Sequence, residues 1–275
     1  LTRIGEGKLA LPILPDLAVK IDFVVREAEF DMKKVSAILE RDPVLATQII
    51  QMAHSAGGPV SGAIDSLKGA IAALGPKAIK SMLSAAIAQP VFKSRIPHVN
   101  DYLSGIWKHS LTVGLFSQDL AGLVELPDSD AAYLAGLLHN VGQAIVGVYL
   151  LEVERMFRLQ AAAARQDFVD AEGWLQIVKN VHPHVRQGLI DTWNLPPTVC
   201  EGINASADYD MAKRRSLGNV VRFSYALALQ LGIGFGEIDA ATLSDMLMIG
   251  RSILNIDEEV VTRLSATGKQ IANEK

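Results

Sequence analysis

The chain has 275 residues, 49% hydrophobic and 20% charged, enough for one large domain or two small ones around a real core. Its 26 Lys and Arg against 30 Asp and Glu leave a net charge of −4, which excludes a broad basic face for gripping a nucleic-acid backbone. A single cysteine, Cys200, excludes an internal disulfide and a Cys-rich zinc site, and suits a reducing cytoplasm.

Residues 1–17 lack a charged start followed by a long apolar run, so no signal segment is expected. Leu17, Ile21, Val24 and Ala28 then recur at helical spacing. Asp31 is placed to cap a second helix with Met32, Val35, Ile38 and Leu39 on one face. Asp42-Pro43 starts a third, because Asp accepts from orphan amides and Pro at the first helical position has none to lose. Residues 55–62, rich in Gly, Ser and Pro, read as a loop. Asp65 opens a helix with Leu67, Ile71 and Leu74, and Gly75-Pro76 ends it and starts the next, faced by Ile79, Met82, Leu83 and Ile87.

Pro97 to Asn100 marks a boundary, and Asp101 is expected to cap a long helix carrying Ile106, Trp107, Ser110, Leu111 and Leu115. Pro127-Asp128 starts another, with Tyr133, Leu134, Leu137 and Leu138. Residues 131–151 contain no Asp, Glu, Lys or Arg, and about 20 apolar residues would span a bilayer. His139, Asn140 and Gln143 interrupt the run, however, and polar groups at mid-span are costly in lipid. The segment therefore reads as two buried core helices joined near His139, with no membrane insertion. Further helices are expected over 144–165, 168–180, 184–193, 196–206, 214–231, 239–254 and 257–272. Lys213-Arg214-Arg215 reads as a solvated helix end. Alternating β-branched patterns are missing, so the expected fold class is all-α.

The side chains that could do chemistry are few. His109 lies mid-helix beside Trp107, and His139-Asn140 follows an apolar helix face. Two such histidines brought together by a helix pair could cradle a metal, since neutral imidazole is a common ligand; the same spacing also suits two polar residues hydrogen-bonded in a core. His182 and His184 flank Pro183 and would point about 200° apart on a helix, so that one of them can face a site. His54 is expected to bond locally at a helix end. Gly232-Ile-Gly-Phe-Gly236 has no preceding strand and reads as a loop, not a phosphate cradle.

The segments Leu14-Pro-Asp-Leu-Ala18, Arg41-Asp-Pro-Val-Leu45, Ile50-Gln-Met-Ala-His-Ser-Ala56 and Ala70-Ile-Ala-Ala-Leu-Gly75 occur in that order. They are followed by Trp107-Lys-His-Ser110, Leu134-Ala-Gly-Leu-Leu-His139, His184-Val-Arg-Gln-Gly188 and Trp193-Asn-Leu-Pro196. Over residues 11–205 the chain resembles the HDOD family, a divergent branch of the HD phosphohydrolase superfamily. The resemblance implies a two-lobed helical bundle, with an N-terminal helical lobe (residues 1–98) and a degenerate HD-like lobe (99–235); residues 236–275, outside the resemblance, read as a C-terminal helical extension. The resemblance also favours His184 over His182 as the site residue, leaving His182 at a cap or in solvent.

Against the catalytic pattern, the His-Asp pair reads His139-Asn140, and the Gly-Lys that often follows reads Gly142-Gln143. A downstream His pair is replaced near Ile203-Asn-Ala-Ser206, and a late Asp ligand sought near Asn219 is also an amide. An amide lacks the anionic oxygen that draws a divalent cation. His109, His139, Asn140 and His184 therefore read as vestigial candidates, with no metal or other cofactor expected. The resemblance implies a non-catalytic bacterial signalling or regulatory module binding a protein partner or a nucleotide messenger. The alternative is a divergent metal-dependent phosphohydrolase holding a divalent metal at those imidazoles. The C-terminal residues Leu243, Leu247, Ile249, Ile253 and Leu254 could pack on the bundle or form a homodimer.

Overall fold

The structure, a computed structural model, describes residues 32–39, 67–93, 97–160, 171–193, 195–234 and 238–273. Every long regular element among them is an α-helix, and the fold is all-α. The helices expected near 17–28 and 42–53, the caps Asp31 and Asp65, the loop 55–62 and His54 lie outside the described residues. The described residues fall into two compact units, one within Ile13–Pro90 and one within Val91–Lys275.

In the first unit, α1 (Met32–Leu39) buries Val35 and Leu39, and it packs against α2 (Leu67–Ala88). Gly75 interrupts α2 with φ 76° and ψ 170°, a conformation that glycine reaches without strain, and Pro76 restarts the helix with its φ already fixed. A short 3-10 turn, Gln89–Phe92, follows.

The second unit holds α3 (Pro97–Leu123), α4 (Ser129–Leu138), α5 (Val141–Gln160), α6 (Ala171–Trp193) and α7 (Pro197–Ala205). It continues with α8 (Leu217–Gln230), α9 (Ala240–Leu254) and α10 (Glu258–Asn273). Three starts follow from capping chemistry. Asp128 accepts from the Ala131 amide at 2.8 Å, Ser216 from Asn219 at 3.2 Å and Asp239 from Thr242 at 2.9 Å. Asn255 ends α9 in the left-handed region, with φ 55°.

Two boundaries differ from the sequence reading. Helix α3 starts at Pro97, not at a cap on Asp101, because proline fits the first helical position; Asp101 is an exposed residue of the helix's second turn. Residues 171–193 form one helix through Pro183 rather than two. A proline inside a helix forfeits a hydrogen bond and costs about 3 kcal/mol. The continuous face of Val178, Val185, Leu189 and Ile190, all buried, offsets that loss.

Helix α4 lies along α3 at close range: a β-carbon at Gly136 would come within 2.7 Å of the Val113 carbonyl oxygen and 2.9 Å of the Gly114 α-carbon. Helix α8 packs on α3, α4, α7 and α9, while α5 packs on α6 and α10 on α3. Phe116, Leu120, Tyr133, Leu137, Phe223 and Leu227 fill the interior. The stretch Ser129–Glu154 is apolar and long enough to cross a membrane, but the helix breaks at His139-Asn140 and 67% of its apolar window is buried within the protein, as core helices are. On α9 and α10, Met246, Ile253, Leu254 and Leu264 are buried in the same unit, whereas Met248 and Ile249 are exposed.

Candidate functional site

Helix α3 carries His109, and the turn between α4 and α5 carries His139 and Asn140; all three are buried. The close approach of Gly136 to α3 brings the two imidazoles to a centroid separation of 5.4 Å, inclined at 54°. His109 Nδ1 lies 2.7 Å from the Ile233 carbonyl and His139 Nδ1 lies 2.6 Å from the Gly136 carbonyl. A carbonyl only accepts, so each Nδ1 carries the proton and donates, and each Nε2 presents a bare lone pair. Neither Nε2 has a hydrogen-bond partner among the described residues.

Burial pushes His109 down to about 4, the Ile233 carbonyl opposing it. Burial likewise holds His139 well below the usual imidazole range, with further lowering from His109, Arg186 and His182. Both rings are therefore neutral near pH 7.

Helix α8 adds Tyr225, whose ring stands edge-on to both imidazoles, 5.3 Å from His109 and 5.6 Å from His139. Helix α6 adds His182 and Arg186. Arg186 Nη1 donates to the His139 carbonyl at 3.2 Å. Gly142 lies so close to α6 that a β-carbon there would fall 2.2 Å from the His182 carbonyl oxygen. Burial, then the Arg186 charge, lowers His182 to about 4.

His109, His139 and Asn140 thus converge, but His184 does not: it is exposed, and the half-buried His182 faces the His139 turn instead. The reason is helical phase, because Val178, Val185 and Leu189 set the buried face of α6 and His182 falls on it. Asn219 is equally remote from a ligand role. Its Nδ2 donates to the carbonyls of Asp210, Lys213 and Arg214 at 2.9, 3.1 and 3.0 Å, and its Oδ1 accepts from the Asp210 amide at 2.8 Å. At 203–206, Ile203 is core and Asn204 is exposed, bonded to Gln187.

The donor set does not fit a hydrolytic metal centre. Two imidazole lone pairs held by carbonyl-anchored tautomers are suitable ligands. The third histidine points away, α8 offers a phenol ring, and position 140 is an amide. Among the described residues, no group of three or more His, Cys, Asp or Glu is placed to hold a metal ion.

Residues 11–209 match the family model of the HDOD domain. The chain belongs to the HDOD family. No curated protein matches it. Among solved structures it is similar to a candidate metal-dependent phosphohydrolase from Shewanella amazonensis SB2B. That match has TM-score 0.70 and 20% identity, over 97% of this chain and 95% of the other. It is also similar to an HDOD domain protein of unknown function from Geobacter sulfurreducens, with TM-score 0.68 and 18% identity over 98% and 97%. A third is a candidate signal transduction protein from Marinobacter aquaeolei VT8, with TM-score 0.64 and 20% identity over 98% of this chain and 61% of that one. At these identities the likenesses establish the HDOD fold, and their coverage extends it beyond residue 209 into the C-terminal helices.

Proposed function

We propose that this HDOD chain is a bacterial, cytoplasmic signalling module that works by binding a partner, a protein or a nucleotide messenger, and not by hydrolysis. One observation carries the reading: the two imidazoles that converge are accompanied by an amide and a phenol where a metal-activated water would need acidic ligands. A phosphohydrolase uses its metal to lower the pKa of water and usually sets a base beside it. The nearest charge on this turn is instead the Arg186 guanidinium, which opposes cation binding. The name of the Marinobacter structure is consistent with a signalling role.

The second reading, a divergent metal-dependent phosphohydrolase, draws on the two buried Nε2 lone pairs that have no partner among the described residues, and on the name of the Shewanella structure. Elemental analysis of protein purified without chelators, paired with phosphodiester and phosphomonoester assays across manganese, iron and zinc, separates the two. Substoichiometric metal and no turnover support the binding module. A stoichiometric ion together with EDTA-sensitive, His139-dependent turnover refutes it.

A further inference from the structure

Helix α9 turns one face inward and leaves the opposite one bare. Met246, Gly250, Ile253 and Leu254 are spent on the bundle, Gly250 packing against Tyr209 and Phe223. Met248, by contrast, is 65% exposed and Ile249 36%. An open groove beside Met248 is lined by Ala240, Leu243 and Leu247 together with Gln230 and Arg251, so the apolar surface is a continuous strip and not a scattered residue. Ala241, Ser244, Asp245 and Ser252 complete the outward face, all exposed and all short, and short side chains let a second helix approach closely.

The polar residues of this face are arranged symmetrically about Met248. Asp245 lies three residues before it and Arg251 three after, about 60° to either side of it around the helix. Ser244 and Ser252 lie four before and four after, Leu247 and Ile249 one before and one after. Asp245 is exposed and has no ion-pair partner among the described residues. Arg251 donates from Nη1 to Glu258 at 2.6 Å and from Nε to the Ile256 carbonyl at 3.5 Å, which orients the guanidinium and leaves Nη2 for another acceptor. Such a face is complementary to itself. In an antiparallel pair with its two-fold axis at Met248, Asp245 of each copy stands level with Arg251 of the other, and Ser244 with Ser252. A parallel pair would instead set Asp245 against Asp245 and Arg251 against Arg251, and like charges disfavour it.

We propose that the outward face of α9 is an interface between two copies of this chain, an isologous antiparallel helix pair centred on Met248. A contact confined to one helix from each copy falls short of the roughly 800 Å² per partner of a stable complex, so the dimer forms and dissociates with protein concentration. The proposal goes beyond the binding-module reading and does not depend on it, because the histidine cluster contributes nothing to this face.

The test is sedimentation velocity of the whole chain from micromolar to submillimolar concentration, where a shift from monomer toward dimer is expected. Asp245→Arg alone and Arg251→Asp alone should each weaken self-association by about tenfold or more, because each sets like charges level across the axis. An equimolar mixture of the two variants should associate again, since in the mixed dimer every level pair is of opposite sign. Cross-linking reads the register in a Cys200→Ser background, which removes the single cysteine. Under mild oxidation Met248→Cys should link to its own copy, whereas Ser244→Cys should link only when mixed with Ser252→Cys, because a disulfide needs α-carbons within about 7 Å. A monomer at every concentration overturns the proposal and leaves the face to a different occupant. A dimer indifferent to both charge variants overturns it too, as does one in which Ser244→Cys links to itself and Met248→Cys does not. If a charge variant fails to fold, the cross-linking pattern of the three surface cysteine variants decides alone.

Discussion

The imidazoles of His109 and His139 meet at a centroid separation of 5.4 Å, each with its Nδ1 proton committed to a backbone carbonyl. Both rings are neutral in the folded protein, whereas the unfolded chain takes up protons on histidine near pH 6.5. As pH falls through 6.5 the unfolded state gains protons first, so stability is complete above that value and declines toward pH 4. For His109 alone the displacement from 6.5 to about 4 corresponds to roughly 3 kcal/mol. Urea midpoints at pH 7.5, 5.5 and 4.5 should fall steadily for the unaltered protein and less steeply for His109→Gln. Parallel curves would show that the pair is not held neutral.

Restoring the acid of the His-Asp pair should not restore an enzyme. In Asn140→Asp the carboxylate returns, but His184 still faces solvent and Tyr225 still stands against both rings. Metal content after dialysis against zinc or manganese should stay below one ion per chain, with no phosphoester turnover. A stoichiometric, activating ion in this single variant would contradict the geometry described here.

Asn219 should tolerate an acid poorly, although catalytic relatives are expected to carry one near this position. Its Nδ2 serves three carbonyls, and a carboxylate would confront the same three oxygens with no proton to share. Loss of buried hydrogen bonds with the acceptors left unpaired costs on the order of 2–4 kcal/mol. Asn219→Asp should lower the chemical-denaturation midpoint accordingly, and amide exchange over 210–214 should accelerate.

Gly142→Ala tests the seam between α5 and α6. The added methyl would fall 2.2 Å from the His182 carbonyl oxygen, which is backbone and cannot rotate aside, so a loss of about 1–3 kcal/mol is expected. Gly122→Ala, at an exposed position of α3, meets nothing within 4 Å and should be neutral or stabilising by under about 1 kcal/mol. Equal effects of the two substitutions on thermal midpoints would mean that the helices are not so closely packed.

Much of this arrangement was written locally. Asp128 and Asp239 cap the helices they precede, Gly75-Pro76 divides α2, and the buried pair His109 and His139 stands out in apolar faces. Tyr225 and Arg186 carry no signal of their own in the sequence, and His182 reads there as a cap or a solvated residue, because their relation to the pair depends on how α6 and α8 are rotated about their own axes. For α6 a signal was present: His182 lies four residues after Val178, three before Val185 and seven before Leu189, the apolar phase of that helix, and His184 does not share it. The motif match pointed to His184, and helix geometry overrode it. For Tyr225 no local pattern distinguishes a ring beside two imidazoles from any other half-buried aromatic. Asn219 could be placed only once the carbonyls of 210–214 had turned inward, an event of loop geometry and not of spacing.

The segment 206–216 is fastened at both ends of its path. Asn219 and Arg222 tie it to α8, and Arg214 Nη2 reaches 2.6 Å to the Ser252 carbonyl at the far end of α9. It therefore ties the last turn of α9 to the first turns of α8, the helix that also carries Tyr225. Cutting the chain before α9 would remove both carbonyl acceptors of Arg214 and leave the segment fastened to α8 alone.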